Sequence, residues 1–229
     1  MARIVPVLLF ALAFPTLMTW LNFGNSTPWM KATYGIGKVV QFSLPILWWA
    51  AMDRARLRRP GFSRAGLPAG LGFGLSVGLG ILVLYFVGLR DHPVMVSVAE
   101  QARAKISAFG LTSPAFYLLF AVFLSLLHAL LEEYYWRAFV FAELKKLVPV
   151  PVAVAISSLG FMAHHVIVLN VYFPGRFWTA TVPLSLGIAA GGAVWTWMYH
   201  RFGTIYPGWI GHALIDATLM FVGYDLLFR

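Results

Sequence analysis

Two adjacent carboxylates, Glu132 and Glu133, stand in an otherwise apolar run that opens near Pro114 and continues to Lys145-Lys146. The chain has 229 residues and only eight acidic ones, so two side by side here call for an explanation. A carboxylate at membrane depth is costly unless it is paired or faces a polar cavity, which makes an intramembrane ionisable group a functional-site hypothesis by default. In a helix, Glu133 and Arg137 are four apart and share a face, so they can pair. Glu132 points about 100° away and is left for another partner. Further on, Phe161 and His165 are four apart, as are His212 and Asp216; each pair lies on one helix face, and Asp216 can orient His212. One carboxylate and two histidines around a cavity can activate water by general-base catalysis and stabilise an oxyanion.

Simpler roles compete for the same residues. A buried histidine commonly serves as an interhelical hydrogen-bonding group, and Glu133–Arg137 reads as a structural ion pair. His128, four residues before Glu132, can pair with it. His164 points about 100° away from His165 and reads as a spacer or a donor behind the site.

The segments that must position these residues are membrane spans. The chain is 60% hydrophobic and 11% charged, with a mean hydropathy of +0.79. Several windows reach the roughly 20 apolar residues that cross a bilayer. These features imply an all-α, polytopic transmembrane helical bundle of about seven to eight spans, in a single domain covering 1–229. No linker, low-complexity stretch or internal repeat is visible. The net charge of +9 sits mostly at segment ends, as topology signals do, so nucleic acid is not an expected partner. Zero cysteines exclude disulfides, thiolate ligands and a cysteine nucleophile.

In order, the expected spans are Ile4 to about Asn22, Tyr34 to Met52, Leu67 to Leu89, a long helix from Pro114 to about Lys146, Val152 to Leu169, Phe177 to Tyr199, and Thr204 to Phe228. The first reads as an uncleaved span, because its Ala11-Leu12-Ala13 stretch falls too early for a signal-peptide site. Asp53 to Arg64, carrying five arginines, reads as a cytoplasmic loop. Arg90 to Gly110 suits an amphipathic helix at the interface. The glycines from Gly70 to Gly80 allow close helix approach. A cytoplasmic N-terminus puts nine basic residues inside and seven outside, with Arg137 in the membrane. Counted from the cytoplasmic ends at the helical rise, Glu132 and His165 lie about 20 Å deep, Asp216 about 18 Å and His212 about 12 Å. Three helices thus place their polar residues in one slab.

Glu132-Glu133-x-x-x-Arg137, Phe161-x-x-x-His165 and His212-x-x-x-Asp216, in that order on separate apolar helices, resemble the three motifs of the CAAX protease and bacteriocin-processing family of intramembrane glutamic endopeptidases. The resemblance covers about Leu118 to Met220, which points to a protease core of about 114–228 with accessory spans in 1–113. It implies that Glu132 is the general base, that His165 helps to hold the water, and that His212 and Asp216 stabilise the oxyanion. It also implies supporting roles for Glu133, Arg137, Phe161 and His164. Asparagine is the commoner residue at the last position, and an ionised Asp216 cannot donate a hydrogen bond. The family implies no cofactor, and as partners a membrane-associated protein or peptide substrate and the lipid bilayer, with no indication of oligomeric state. The compact chain suggests a bacterial inner membrane. A zinc-dependent protease, since two histidines and a glutamate can hold zinc, and a non-catalytic immunity or transport protein are the alternative readings.

Overall fold

A computed structural model describes residues 3–23, 29–54, 63–110 and 112–229, with side chains from 32 onward in the second of these segments. Among them there are eight helices and no strand: α1 (Ile4–Phe23), α2 (Trp29–Met52), α3 (Leu67–Leu89), α4 (Val94–Ala108), α5 (Pro114–Leu144), α6 (Val150–Tyr172), α7 (Phe177–Phe202) and α8 (Tyr206–Phe228). All except α2 and α4 are long and apolar enough to cross a membrane. The chain is an integral, multi-pass membrane protein. The second expected span is helical as α2, but Lys38 and Gln41 dilute its apolarity. Lys38, one of the seven basic residues assigned to the outer side, lies well inside this helix. Of the arginine-rich loop, Arg56, Arg58 and Arg59 lie outside the described residues, as do 24–28 of the loop between the first two expected spans.

Local sequence explains the boundaries. Prolines occupy the first turns of α3, α5, α6 and α8, where the missing N–H has no intrahelical partner to lose. The Ser113 hydroxyl caps α5 by accepting from the Phe116 amide at 3.3 Å. Gly203, at φ +70°, ends α7 and turns the chain into α8. The expected interfacial helix is α4; it is tied down where Arg103 donates to the Leu226 carbonyl and Lys105 to the Phe23 carbonyl.

α5 runs through the bundle, and its second half is almost wholly buried. Tyr135, Trp136, Phe139, Val140 and Phe141 have no exposed surface, and the Tyr135 hydroxyl donates to the Ala11 carbonyl at 2.8 Å. Two stretches of wide, π-type turns, Phe123–His128 and Tyr134–Phe141, flank the regular turn that carries Glu132 and Glu133. Such widenings are often found at functional sites.

The glycine stripe of α3 does what its spacing implies. A Cβ at Gly70 would collide with the Pro207 backbone, and one at Gly74 would lie 2.9 Å from the Gly211 Cα. α3 and α8 therefore meet backbone to backbone, which holds His212 firmly in place.

Candidate active site

The site is assembled from three helices packed on one turn of α5. α6 presents Ser157, Gly160, Phe161 and His164 at three- and four-residue spacing, one continuous face. The Ser157 hydroxyl donates to the Trp136 carbonyl at 3.2 Å. The missing side chain of Gly160 admits the Trp136 ring, which a Cβ there would meet at 2.9 Å. His164 stacks on the same ring, with centroids 6.1 Å apart and planes 6° apart.

This register decides which histidine faces the carboxylate. His164 Nε2 lies 3.5 Å from Glu132 Oε1. His165, one residue on, is turned to the flank: its Nδ1 sits 2.9 Å from the Phe161 carbonyl oxygen, and its ring lies 4.0 Å from that of His164. A carbonyl only accepts, so Nδ1 carries the proton and Nε2 of His165 keeps a lone pair. The expected pairing of Phe161 with His165 is present, but the imidazole against Glu132 is that of His164, which the sequence places behind the site. The 100° step per residue separates the two.

α8 brings the third histidine. His212 Nδ1 donates to Glu133 Oε1 at 3.0 Å, while its Nε2 lies 3.8 Å from Glu132 Oε2 and 3.6 Å from Asp216 Oδ2. Its ring stacks on Trp195 of α7 at 4.3 Å and 16°. His128, from the turn below, places Nε2 3.8 Å from Glu132 Oε1. Glu132 is thus surrounded by three imidazoles at 3.5–3.8 Å, contacts just longer than a direct hydrogen bond.

The neighbouring carboxylate is fully engaged on one oxygen. Arg137 Nη1 lies 2.9 Å from Glu133 Oε1; Glu133 is 0% exposed and Arg137 1%. The guanidinium also donates to the Gly192 carbonyl at 3.3 Å and lies over the Phe161 and Trp195 rings at 4.7 and 5.3 Å. Glu133 Oε2 faces Gly208, where a Cβ would come within 2.6 Å. Among the described residues no three His, Asp or Glu side chains are arranged to hold one metal ion.

A family model described as Rce1-like, type II CAAX prenyl endopeptidase, matches residues 114–218, a segment that holds every one of these side chains. Over this stretch the chain is similar to the Rce1-like family. Its activity class is accordingly that of a CAAX-type intramembrane peptidase, a hydrolase acting on a protein or peptide at the bilayer. No curated protein and no solved structure matches the chain.

Two residues escaped the sequence reading. Trp195, which supports His212, has no signal of its own in the sequence. Lys38 of α2 has one: counted back from Met52 it lies about 21 Å in, the depth of Glu132. Its Nζ lies over the Phe42 ring, which meets His128 edge-on.

Proposed function

We propose that the protein is a metal-free glutamic endopeptidase that cuts a peptide bond near the C-terminus of a membrane-associated protein or peptide, in a bacterial inner membrane, with about 114–228 as its catalytic core. The observation that carries this reading is the meeting of imidazoles from α5, α6 and α8 around a single carboxylate, Glu132.

In the proposed reaction Glu132 takes a proton from water as the oxygen attacks the scissile carbonyl. His165, its Nδ1 proton committed to the Phe161 carbonyl, offers its Nε2 lone pair to the same water. His164 orients Glu132. The carbonyl oxygen becomes an oxyanion, and protonated His212 donates to it from Nε2. Glu133 holds the other ring nitrogen of His212, and Asp216 acts on His212 electrostatically rather than as a donor to substrate. The tetrahedral intermediate then collapses: the C–N bond breaks, the departing amine takes the proton held by Glu132, and the acid product keeps the water oxygen. Glu133–Arg137 keeps His212 in register and supplies no proton.

The test is hydrolysis of a tail peptide by reconstituted protein. Glu132→Gln is expected to lower kcat at least about 10²- to 10⁴-fold, the usual contribution of a general base, without changing the melting temperature. Turnover that survives this substitution would sink the mechanism. Loss of activity on chelation, restored by zinc, would transfer the chemistry to a metal.

A further inference from the structure

Lys38 is a cation well inside α2, at the depth of the reacting carboxylate. An ammonium there is costly unless something answers its charge. The described carboxylates of the site are occupied elsewhere: Glu132 by His128, His164 and His212, Glu133 by Arg137 and His212, and Asp216 by His212. Lys38 forms no ion pair with a described residue. Its Nζ instead rests on two aromatic faces, 5.6 Å from the Tyr34 ring centre and 5.4 Å from that of Phe42. Phe42 in turn meets His128 edge-on at 6.2 Å, and His128 touches Glu132. The ammonium is therefore connected to the catalytic carboxylate through Phe42 and His128, with no ion pair between the two.

The substrate class supplies an anion at that place. A CAAX tail ends three residues beyond its cysteine in a free α-carboxylate. Three extended residues span at most about 10 Å, so a tail cut after the cysteine carries its terminal charge into the membrane site. That charge needs a counter-charge there. Arg137, which is buried in the site, is committed to Glu133.

We propose that Lys38 anchors the α-carboxylate of the departing tripeptide and so makes the enzyme specific for free C-termini. This rests on the endopeptidase reading above. Lys38 lies outside the segment that the family model matches, so an accessory helix sets specificity for the core.

The experiment compares two prenylated CAAX peptides, identical except for a C-terminal carboxylate or carboxamide, on protein reconstituted in phosphatidylcholine vesicles. The wild-type protein is expected to prefer the acid by about tenfold or more in kcat/KM, the worth of a hydrogen bond to a charged group. Lys38→Gln should bring the two peptides within about threefold, through a rise in KM for the acid alone, and Lys38→Arg should keep most of the preference. Equal cleavage of acid and amide by the wild-type protein overturns the anchor and needs no variant to fold. A Lys38→Gln protein that keeps the acid preference, or loses both peptides equally, also overturns it; an equal loss reversed by adding phosphatidylglycerol assigns Lys38 to a lipid headgroup. Cleavage of neither peptide by the wild-type protein overturns the CAAX-tail premise and the anchor with it.

Discussion

Glu132 meets imidazoles through both of its oxygens, whereas Glu133 is pinned by Arg137 and His212 through one. Adjacent residues of one type thus have different work because a helix turns them apart. Three predictions belong at this scale. His165→Ala should cost at least about 10²-fold in kcat if its Nε2 holds the water; His164→Ala should cost less, with His164→Gln recovering most of the loss, measured as single-turnover rates. Asp216→Asn should retain activity, since the proposed role of Asp216 lies behind His212; a loss as large as that of Glu132→Gln would assign it directly to the reaction. Arg137→Ala should lower stability by about 3–5 kcal/mol, because it leaves Glu133 buried and unpaired. Thermal unfolding in detergent reads this directly, and Glu133→Gln in the same background should recover part of it.

At the scale of elements, the site depends on two close approaches. α3 meets α8 through Gly70, Gly74 and Gly211, and α6 admits Trp136 through Gly160. The opposing atoms at Gly70 and Gly74 are backbone, which cannot swing aside, so a side chain there must part the helices. Gly74→Val should therefore destabilise the fold by about 1–3 kcal/mol and lower kcat as well, since it displaces His212. Gly72, whose Cβ would meet nothing within 4 Å, is the control: Gly72→Val should leave both melting temperature and turnover unchanged. Elements also decided the histidine question. The face of α6 turned to α5 is laid out in Ser157, Gly160, Phe161 and His164, a stripe legible in the sequence, whereas the Phe161-x-x-x-His165 motif lies one residue off that stripe.

At the scale of the whole molecule, the bilayer gives the site its meaning. Polar groups converging at one depth are costly in hydrocarbon, and the segment that carries them is packed against helices from the first half of the chain. If α2 is part of the substrate site, the segment matched by the family model is not a sufficient enzyme. Protein lacking α1 and α2 should then fail to discriminate free from blocked C-termini even where it still folds.

Composition by itself determined the membrane, the all-helical bundle and most of its boundaries, because hydrocarbon solvation and proline and glycine geometry act residue by residue. Helical spacing likewise determined the pairs Glu133–Arg137 and His212–Asp216, each within a single element. Only the tertiary structure decided that His164 rather than His165 faces Glu132, that His212 bridges both carboxylates, that Trp195 backs it, and that Lys38 stands at the site. Those relations depend on the rotation of one helix against another. Backbone-to-backbone packing sets that rotation, and no periodicity within a single helix encodes it.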